Sequence, residues 1–318
     1  MTAFSFSDRR SFLKKSGAGL AGMLLIPDLL RENVLHKDET RRLTILHTND
    51  MHSRIDPFPN DDPQYAGLGG MERRAAMIAS IRKAEQNVLL LDAGDIFQGT
   101  PYFNFFGGEP ELRLMSDMGY EAATMGNHDF DNGLEGFLKV LHHAQFPFLC
   151  SNYDFSGTLL NKHTFDHKII EKGGLKIGLF GIGIELKGLV TEKNYGKTVW
   201  LDPIEIAKDR SKMLKQAGCN LIICISHLGY QYANEKVSDI KLAKESTMID
   251  IILGGHTHTF MEEAAIVTNK TGKPVLVNQA GWGGLRLGRI DISFNKSRSG
   301  GTSIGEISYL QSSNRNVI

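Results

Sequence analysis

Short β-rich apolar runs, each bounded by turn residues, recur along this chain and constrain its fold more than any other feature. They are "LTIL" (43–46), "VLLL" (88–91), "FPFL" (146–149), "KIGLFGI" (176–182), "NLIICIS" (220–226) and "DIILGG" (250–255), and they read as buried strands. Amphipathic stretches separate several of them. In "DPIEIAKDRSKMLKQAG" Asp202 suits the N-cap, Pro203 the first helical position and Glu205 a capping box. Ile206, Met213 and Ala217 share a face there, and Gly218 ends the turn. Met71, Ala75, Ile78 and Ile81 stand at helical spacing, and a further helix starts at Gly133 and buries Leu134, Phe137, Leu138 and Leu141. Strand–helix alternation predicts a layered α/β domain with buried sheets. From Thr259 onward the chain reads as consecutive strands and hairpins, which predicts a second sheet, mixed or antiparallel, packed on the first. No linker is long enough to separate two independent domains.

Composition excludes several classes of function. Lys+Arg and Asp+Glu are balanced at 36 each, so no charged surface is set aside for a nucleic-acid polymer or an anionic membrane. The chain is 41% hydrophobic and 23% charged, as ordinary globular proteins are, and no repeat of solenoid or propeller length is visible. Cys150, Cys219 and Cys224 match no zinc spacing or disulfide framework and read as small apolar residues at buried strands.

The N-terminal stretch "SDRRSFLKKSGAGLAGMLLIP" resembles a twin-arginine export signal, with Arg9 and Arg10 ahead of Phe12, Leu13 and a Gly/Ala-rich apolar run. The other reading is a basic amphipathic helix. The run is too short and glycine-rich for a stable membrane span. Residues 1–35 are therefore expected to be signal and linker, and the protein exported by the twin-arginine route to a periplasmic or extracytoplasmic space.

The polar residues gather where the apolar runs end. After "LTILHTN" come Asp50 and His52; after "VLLLDAG" comes Asp95; after "YEAATMG" come Asn127 and His128. "LIICIS" leads into His227, and "DIILGG" into His256 and His258. In layered α/β proteins, sites form in the crevice at the carboxyl ends of strands. Each motif alone is weak, but their order is highly specific. "ILHTNDMHS", "DAGDIFQGTP", "MGNHDFDNG", "SHLG", "GGHTH" and "QAGWGGLRLGRI" resemble the blocks of the calcineurin-like metallophosphoesterases, within them the 5′-nucleotidase branch, from about Leu43 to Phe294.

That resemblance implies a layered α/β/β/α sandwich of two packed mixed sheets flanked by helices, over residues 42–312. It implies two divalent metal ions, zinc, manganese or iron. One would take Asp50, His52 and His258, the other Asn127, His227 and His256, and Asp95 would bridge them. Such a pair needs a shared anionic oxygen, and mixed imidazole and carboxylate ligands suit these metals. The reaction implied is hydrolysis of phosphate monoesters, 5′-nucleotides foremost, by attack of a metal-activated hydroxide. Asn127 and His128 would contact the phosphate, and His128, paired with Asp131, would assist the leaving group. Asp129 reads as structural.

The other polar residues have plainer readings. His36, His142, His143, His163 and His167 fit no block and read as surface or capping residues, and His47 as a core residue. Asp92 and Gln98 are candidates to support the ligands from behind, and "AGWGG" (280–284) to shape the rim. Complete 5′-nucleotidases carry a C-terminal domain with an aromatic sandwich for the base. "NKSRSGGTSIGEISYLQSSNRNVI" is too short and polar for one, and no paired aromatics stand outside the motif blocks. A separately encoded substrate-binding domain is therefore expected, with Tyr102, Phe103, Phe105 and Phe106 the docking candidates. Cyclic-nucleotide or sugar-nucleotide diesterase activity, thiosulfohydrolase activity, and a non-catalytic metal- or partner-binding role stay open as alternatives.

Overall fold

A computed structural model describes residues 40–296 and 304–316. The expected signal, with Arg9 and Arg10, lies outside the described residues, as does His36. The strands, in chain order, are β1 (Thr40–Thr48), β2 (Val88–Asp92), β3 (Ala122–Ala123), β4 (Tyr153–Asp154), β5 (His167–Lys172), β6 (Leu175–Gly183), β7 (Val199–Trp200), β8 (Leu221–His227), β9 (Ile251–Leu253), β10 (Ala265–Thr268), β11 (Pro274–Asn278), β12 (Arg286–Lys296) and β13 (Ile304–Asn316). One large sheet has the order β13-β12-β1-β2-β3 and the other β10-β11-β9-β8-β6-β5. Both are mixed. In the first, β1, β2 and β3 run parallel and β12–β13 is an antiparallel hairpin. The second is parallel inside and antiparallel at its two margins.

Side chains alternate across each strand and so divide the core. Leu43, Ile45, Leu89 and Leu91 from the first sheet meet Ile177, Leu179, Ile223 and Ile225 from the second. Leu46 and Leu90 turn the other way, under the helices Met71–Ala84, Glu109–Asp117 and Gly133–Leu141. Phe180, Ile182, Ile222 and Cys224 face the helices Pro203–Gln216 and Asp239–Glu245. Four layers result, helix–sheet–sheet–helix. Sheets covered on both faces need apolar residues on both faces, which is why the strands read as unbroken apolar runs. The cysteines are free and buried.

The helices follow their local signals with small shifts. Asp202 caps Pro203–Gln216 by accepting from the Ile204 and Glu205 amides, while the Glu205 carboxylate turns to Lys208 at 2.7 Å. The buried stripe is Pro203, Ala207, Ser211 and Leu214; Ala217 lies past the last helical residue and is exposed. Helix Met71–Ala84 buries Arg74 in the same stripe as Met71, Ile78 and Ile81. In helix Pro101–Phe106, Phe103 packs inward, whereas Phe105 is 80% and Phe106 53% exposed.

Two expectations are corrected. The strands after Thr259 do not form a sheet of their own: β10 and β11 extend the second sheet, and β12 and β13 extend the first beside β1. "FPFL" makes isolated bridges instead of a strand. Its backbone is divided between the sheets, the Leu149 amide donating to Ala123 O at 2.7 Å and the Ser151 amide to Gly181 O at 2.8 Å. Gly181 is what lets this segment come so close, since a Cβ there would overlap the Leu149 carbonyl oxygen. Gly181→Ala is expected to lower stability by about 1–3 kcal/mol or more, the cost of overpacking. Urea unfolding measures this, and an unchanged midpoint would contradict the contact.

Candidate metal centre

Every ligand expected from the sequence stands at or just past the carboxyl end of a strand of one or other sheet. Asp50 and His52 follow β1, Asp95 follows β2, Asn127 and His128 follow β3, His227 ends β8, and His256 and His258 follow β9. Among the described non-glycine residues with positive φ are Asp50 (50°), His52 (49°), Asp95 (56°), His256 (73°) and His258 (52°). Left-handed backbone is unfavourable for such residues and persists only when neighbours enforce it. Here the loops are stitched together: the Asp50 amide donates to Gly94 O at 2.9 Å, and the His52 amide to Asp95 O at 3.0 Å. Gly126 completes the fit, because a Cβ there would run into Asp95.

Two triads result. Asp50, His52 and His258 form one, and Asp95, His227 and His256 the other, each with its donor atoms within 4.8 Å of one another. The His52 and His258 Nε2 atoms lie 3.0 Å apart, and His258 Nε2 lies 3.3 Å from Asp50 Oδ1. Asn127 joins the second triad, its Oδ1 2.8 Å from His256 Nδ1. The Asp95 Oδ2 atom lies 3.1 Å from His227 Nε2 and 4.0 Å from His52 Nε2, so it faces both triads. Asp50 Oδ1 also faces His227 Nε2, at 3.9 Å.

This donor set fits divalent cations. His227 Nε2 is buried, and its nearest charged neighbour is Asp95 Oδ2 at 3.1 Å, a carboxylate oxygen that also faces the other triad. The ring's other nitrogen is fixed on Ala93 O at 2.6 Å, as His52 Nδ1 is on Gln98 O at 3.1 Å. Carbonyl partners of this kind hold a ligating imidazole in one tautomer with its free nitrogen aimed at the metal. Burial pulls the His227 pKa down, but Asp95 and Asp50 raise it, to about 10. Burial pushes the Asp95 carboxyl up, and His227, His52 and His128 together hold it below the ordinary range. A cation held here would take the place of the proton the pair otherwise shares, and its loading would release protons. Burial lowers His256 to about 4, keeping that imidazole neutral as a ligand must be.

"GNHDFDNG" arranges its polar residues by depth. His128 is half-exposed, with Nδ1 2.8 Å from Asp131 Oδ2. That hydrogen bond raises the His128 pKa, with burial opposing it. The His128 amide donates to Asp95 Oδ1 at 2.7 Å, which fixes the dyad to the floor of the site. Asp129 is buried and accepts from the amides of Asp95, Ile96, Phe97 and Gly126 at 2.8–3.2 Å, a purely internal brace.

The remaining candidates sort cleanly. Asp92, pushed up to about 8 by burial, accepts from Thr48 Oγ1 at 2.6 Å and the Gly94 amide at 2.9 Å, directly beneath the Asp95 loop. Gln98 contributes its carbonyl, as above. His47 is fully buried against Asn278 and touches no ligand. His142 and His163 are exposed, and His143 and His167 half-buried, away from the triads. Asn49, Arg74 and Gln279 near the ligands escaped the sequence reading, and Trp282 was read only as part of the rim. Asn49 donates to Asp50 Oδ2 at 2.6 Å; Arg74 donates to Met51 Sδ at 2.7 Å; Gln279 and Trp282 pack on the His256–His258 loop. Arg74 could have been found from its spacing in the apolar helix stripe. The absence of paired aromatics is corrected too: Tyr65 and Phe260 stack with centroids 6.3 Å apart, and Tyr65 lies 6.1 Å from Trp282.

The profile of the calcineurin-like phosphoesterases matches residues 43–260. The snake venom 5′-nucleotidase of Crotalus adamanteus is 36% identical over 274 residues, 80% of this chain and 45% of that one. The crystal structure of a 5′-nucleotidase precursor from Thermus thermophilus aligns with a TM-score of 0.75 and 29% identity, over 86% of this chain and 54% of that one. The NAD nucleotidase of Haemophilus influenzae aligns with a TM-score of 0.74 and 29% identity, over 86% and 50%. The chain spans about half the length of the curated relatives it matches.

Proposed function

This chain belongs to the calcineurin-like phosphoesterase family, and from that premise we propose that it hydrolyses phosphate monoesters, 5′-nucleotides foremost, on two divalent cations. The observation that carries the proposal is the meeting of two ligand triads at Asp95, whose Oδ2 faces a histidine nitrogen of each, at 3.1 and 4.0 Å. Asp50, His52 and His258 would hold one cation and Asn127, His227 and His256 the other, with Asp95 placed to serve both. Bound cations of this kind neutralise phosphate charge and make water acidic enough to attack at neutral pH. The chain's own residues supply the rest. Asn127 is a neutral ligand that limits negative charge where an anionic ester must enter. His128, held at Nδ1 by Asp131, turns its other nitrogen to the phosphate and protonates the departing alkoxide; the Asp131 hydrogen bond raises its pKa and so favours the proton-bearing form.

The nucleotide class is supported by the names of the relatives, 5′-nucleotidases and an NAD nucleotidase. A separate substrate-binding domain would rest on Phe105 and Phe106, beside a cavity of about 390 Å³ lined in part by Arg54, Pro59 and Tyr102. Metal analysis with a hydrolysis panel tests the reading. Two ions per chain and fastest turnover of a 5′-nucleotide support it. Absence of bound metal, or preference for a cyclic-nucleotide, sugar-nucleotide or thiosulfate-bearing substrate, would overturn it.

No helix among the described residues is long and apolar enough to cross a membrane. Export by the twin-arginine route belongs to the same proposal. Replacing Arg9 and Arg10 together by Lys should hold the protein inside the cell, and unchanged export of that variant, seen by fractionation, would remove this part.

A further inference from the structure

His256 and His258 stand on a loop that leaves β9 at Leu253 and adopts left-handed backbone at both histidines, φ 73° and 52°. Such a loop does not hold itself. Two side chains of the segment following β11 grip it. Gln279 is fully buried, and every hydrogen-bonding direction of its amide is used. Its Nε2 donates to Gly255 O at 2.7 Å and to Asp239 Oδ2 at 3.1 Å; its Oε1 accepts from Thr257 Oγ1 at 3.2 Å and from the Thr259 amide at 3.1 Å. Gly255, Thr257 and Thr259 are the residues before, between and after the two histidines. Asp239 also accepts from Ser226 Oγ at 2.6 Å, so the same amide ties the loop to the strand that carries His227.

Trp282 acts on one histidine. Its ring is stacked on His258, 8° from parallel with centroids 5.6 Å apart. The His258 side chain is 39% accessible, against 9% for His52 and 0% for His227, and the indole lies parallel to its ring with an offset. The indole itself is wedged edge-on against Phe58 at 5.5 Å and Tyr65 at 6.1 Å, and the Gly283 amide pins this turn to Asp50 O at 2.7 Å.

We propose that Gln279 and Trp282 are positioning residues of the metal centre: Gln279 sets the His256–His258 loop and serves both cation sites, whereas Trp282 aligns His258 and serves only one. The inference rests on the two-cation reading above. Calorimetric titration of Mn²⁺ into the metal-stripped full chain tests both. Wild type should bind two ions. Gln279→Met, similar in size but without the amide, should weaken both sites by about 10–100-fold, the usual effect of losing a partner behind a metal ligand. Trp282→Ala should weaken one site by a similar factor and leave the other within about threefold. Trp282→Phe keeps a ring that can stack and should recover most of the loss. Circular dichroism of the metal-free variants separates unfolding from lost affinity, and the Trp282 pair keeps the test decisive should Gln279→Met not fold. Wild-type affinities in folded Gln279→Met and Trp282→Ala would overturn the clamp while leaving the two-cation reading in place. Equal weakening of both sites by Trp282→Ala would overturn the division of labour. A wild-type chain that binds no pair of ions would overturn the two-cation reading and the clamp with it.

Discussion

Asp95→Asn is expected to abolish hydrolysis and to weaken loading of both cations at once. The carboxylate is fully buried, faces His227 Nε2 at 3.1 Å and His52 Nε2 at 4.0 Å, and accepts the His128 amide through its other oxygen. An amide of the same shape keeps the packing but removes the charge that two adjacent cations require. Metal catalysis is worth several kcal/mol of transition-state stabilisation, so kcat should fall by about 10³-fold or more. Asp50 Oδ1 also faces both triads, at 3.3 Å from His258 and 3.9 Å from His227, and it provides the control. If Asp95 is the bridge, Asp50→Asn should chiefly empty the site of His52 and His258. Metal content per chain distinguishes the two. An Asp95→Asn protein retaining two ions and near-normal turnover would show that the bridge has been misassigned.

His128→Ala should leave both cations bound and lower kcat by about 10²–10⁴-fold, the range for loss of a general acid. His128 is outside both triads, and only its backbone amide touches Asp95. The loss should shrink with p-nitrophenyl phosphate, whose leaving group is already a stable anion. Equal losses on alkyl and aryl esters would contradict leaving-group assistance. The Asp131 hydrogen bond raises the His128 pKa, so the acid form persists to higher pH than in a free imidazole. Asp131→Asn should therefore lower that pKa and move the alkaline limb of the kcat profile to lower pH. A limb that stayed in place would assign it to another group.

Much of this was legible in the sequence because it is local. The unbroken apolar runs at β1, β2, β6 and β8 put apolar side chains on both faces, and a strand covered on both faces has to be central to a layered fold. The Asp202 cap depends on amides two and three residues away. The candidate ligands were legible for a related reason: each stands a few residues past an apolar run, and the carboxyl ends of such strands converge on one edge. Arg74 shows the limit even of local pattern. Its spacing marks it as buried, yet only its neighbours Met51, Tyr120 and Asp92 show what surrounds a buried guanidinium.

What tertiary structure alone decided are the contacts between segments distant along the chain. Whether β10 to β13 make their own sheet or extend two existing ones depends on which open edges they meet, and their alternation is the same in either case. "FPFL" has the composition of a strand, but the Leu149 amide donates to Ala123 O and the Pro147 carbonyl accepts from the Ala123 amide, while Ser151 reaches Gly181 on the other side. Gln279 and Trp282 lie more than twenty residues from the histidines they hold, and nothing in "NQAGWGG" records that separation closing. Side-chain periodicity encodes which face is buried, whereas the identity of the buried neighbour is set when the layers pack and each amide or ring finds its partner.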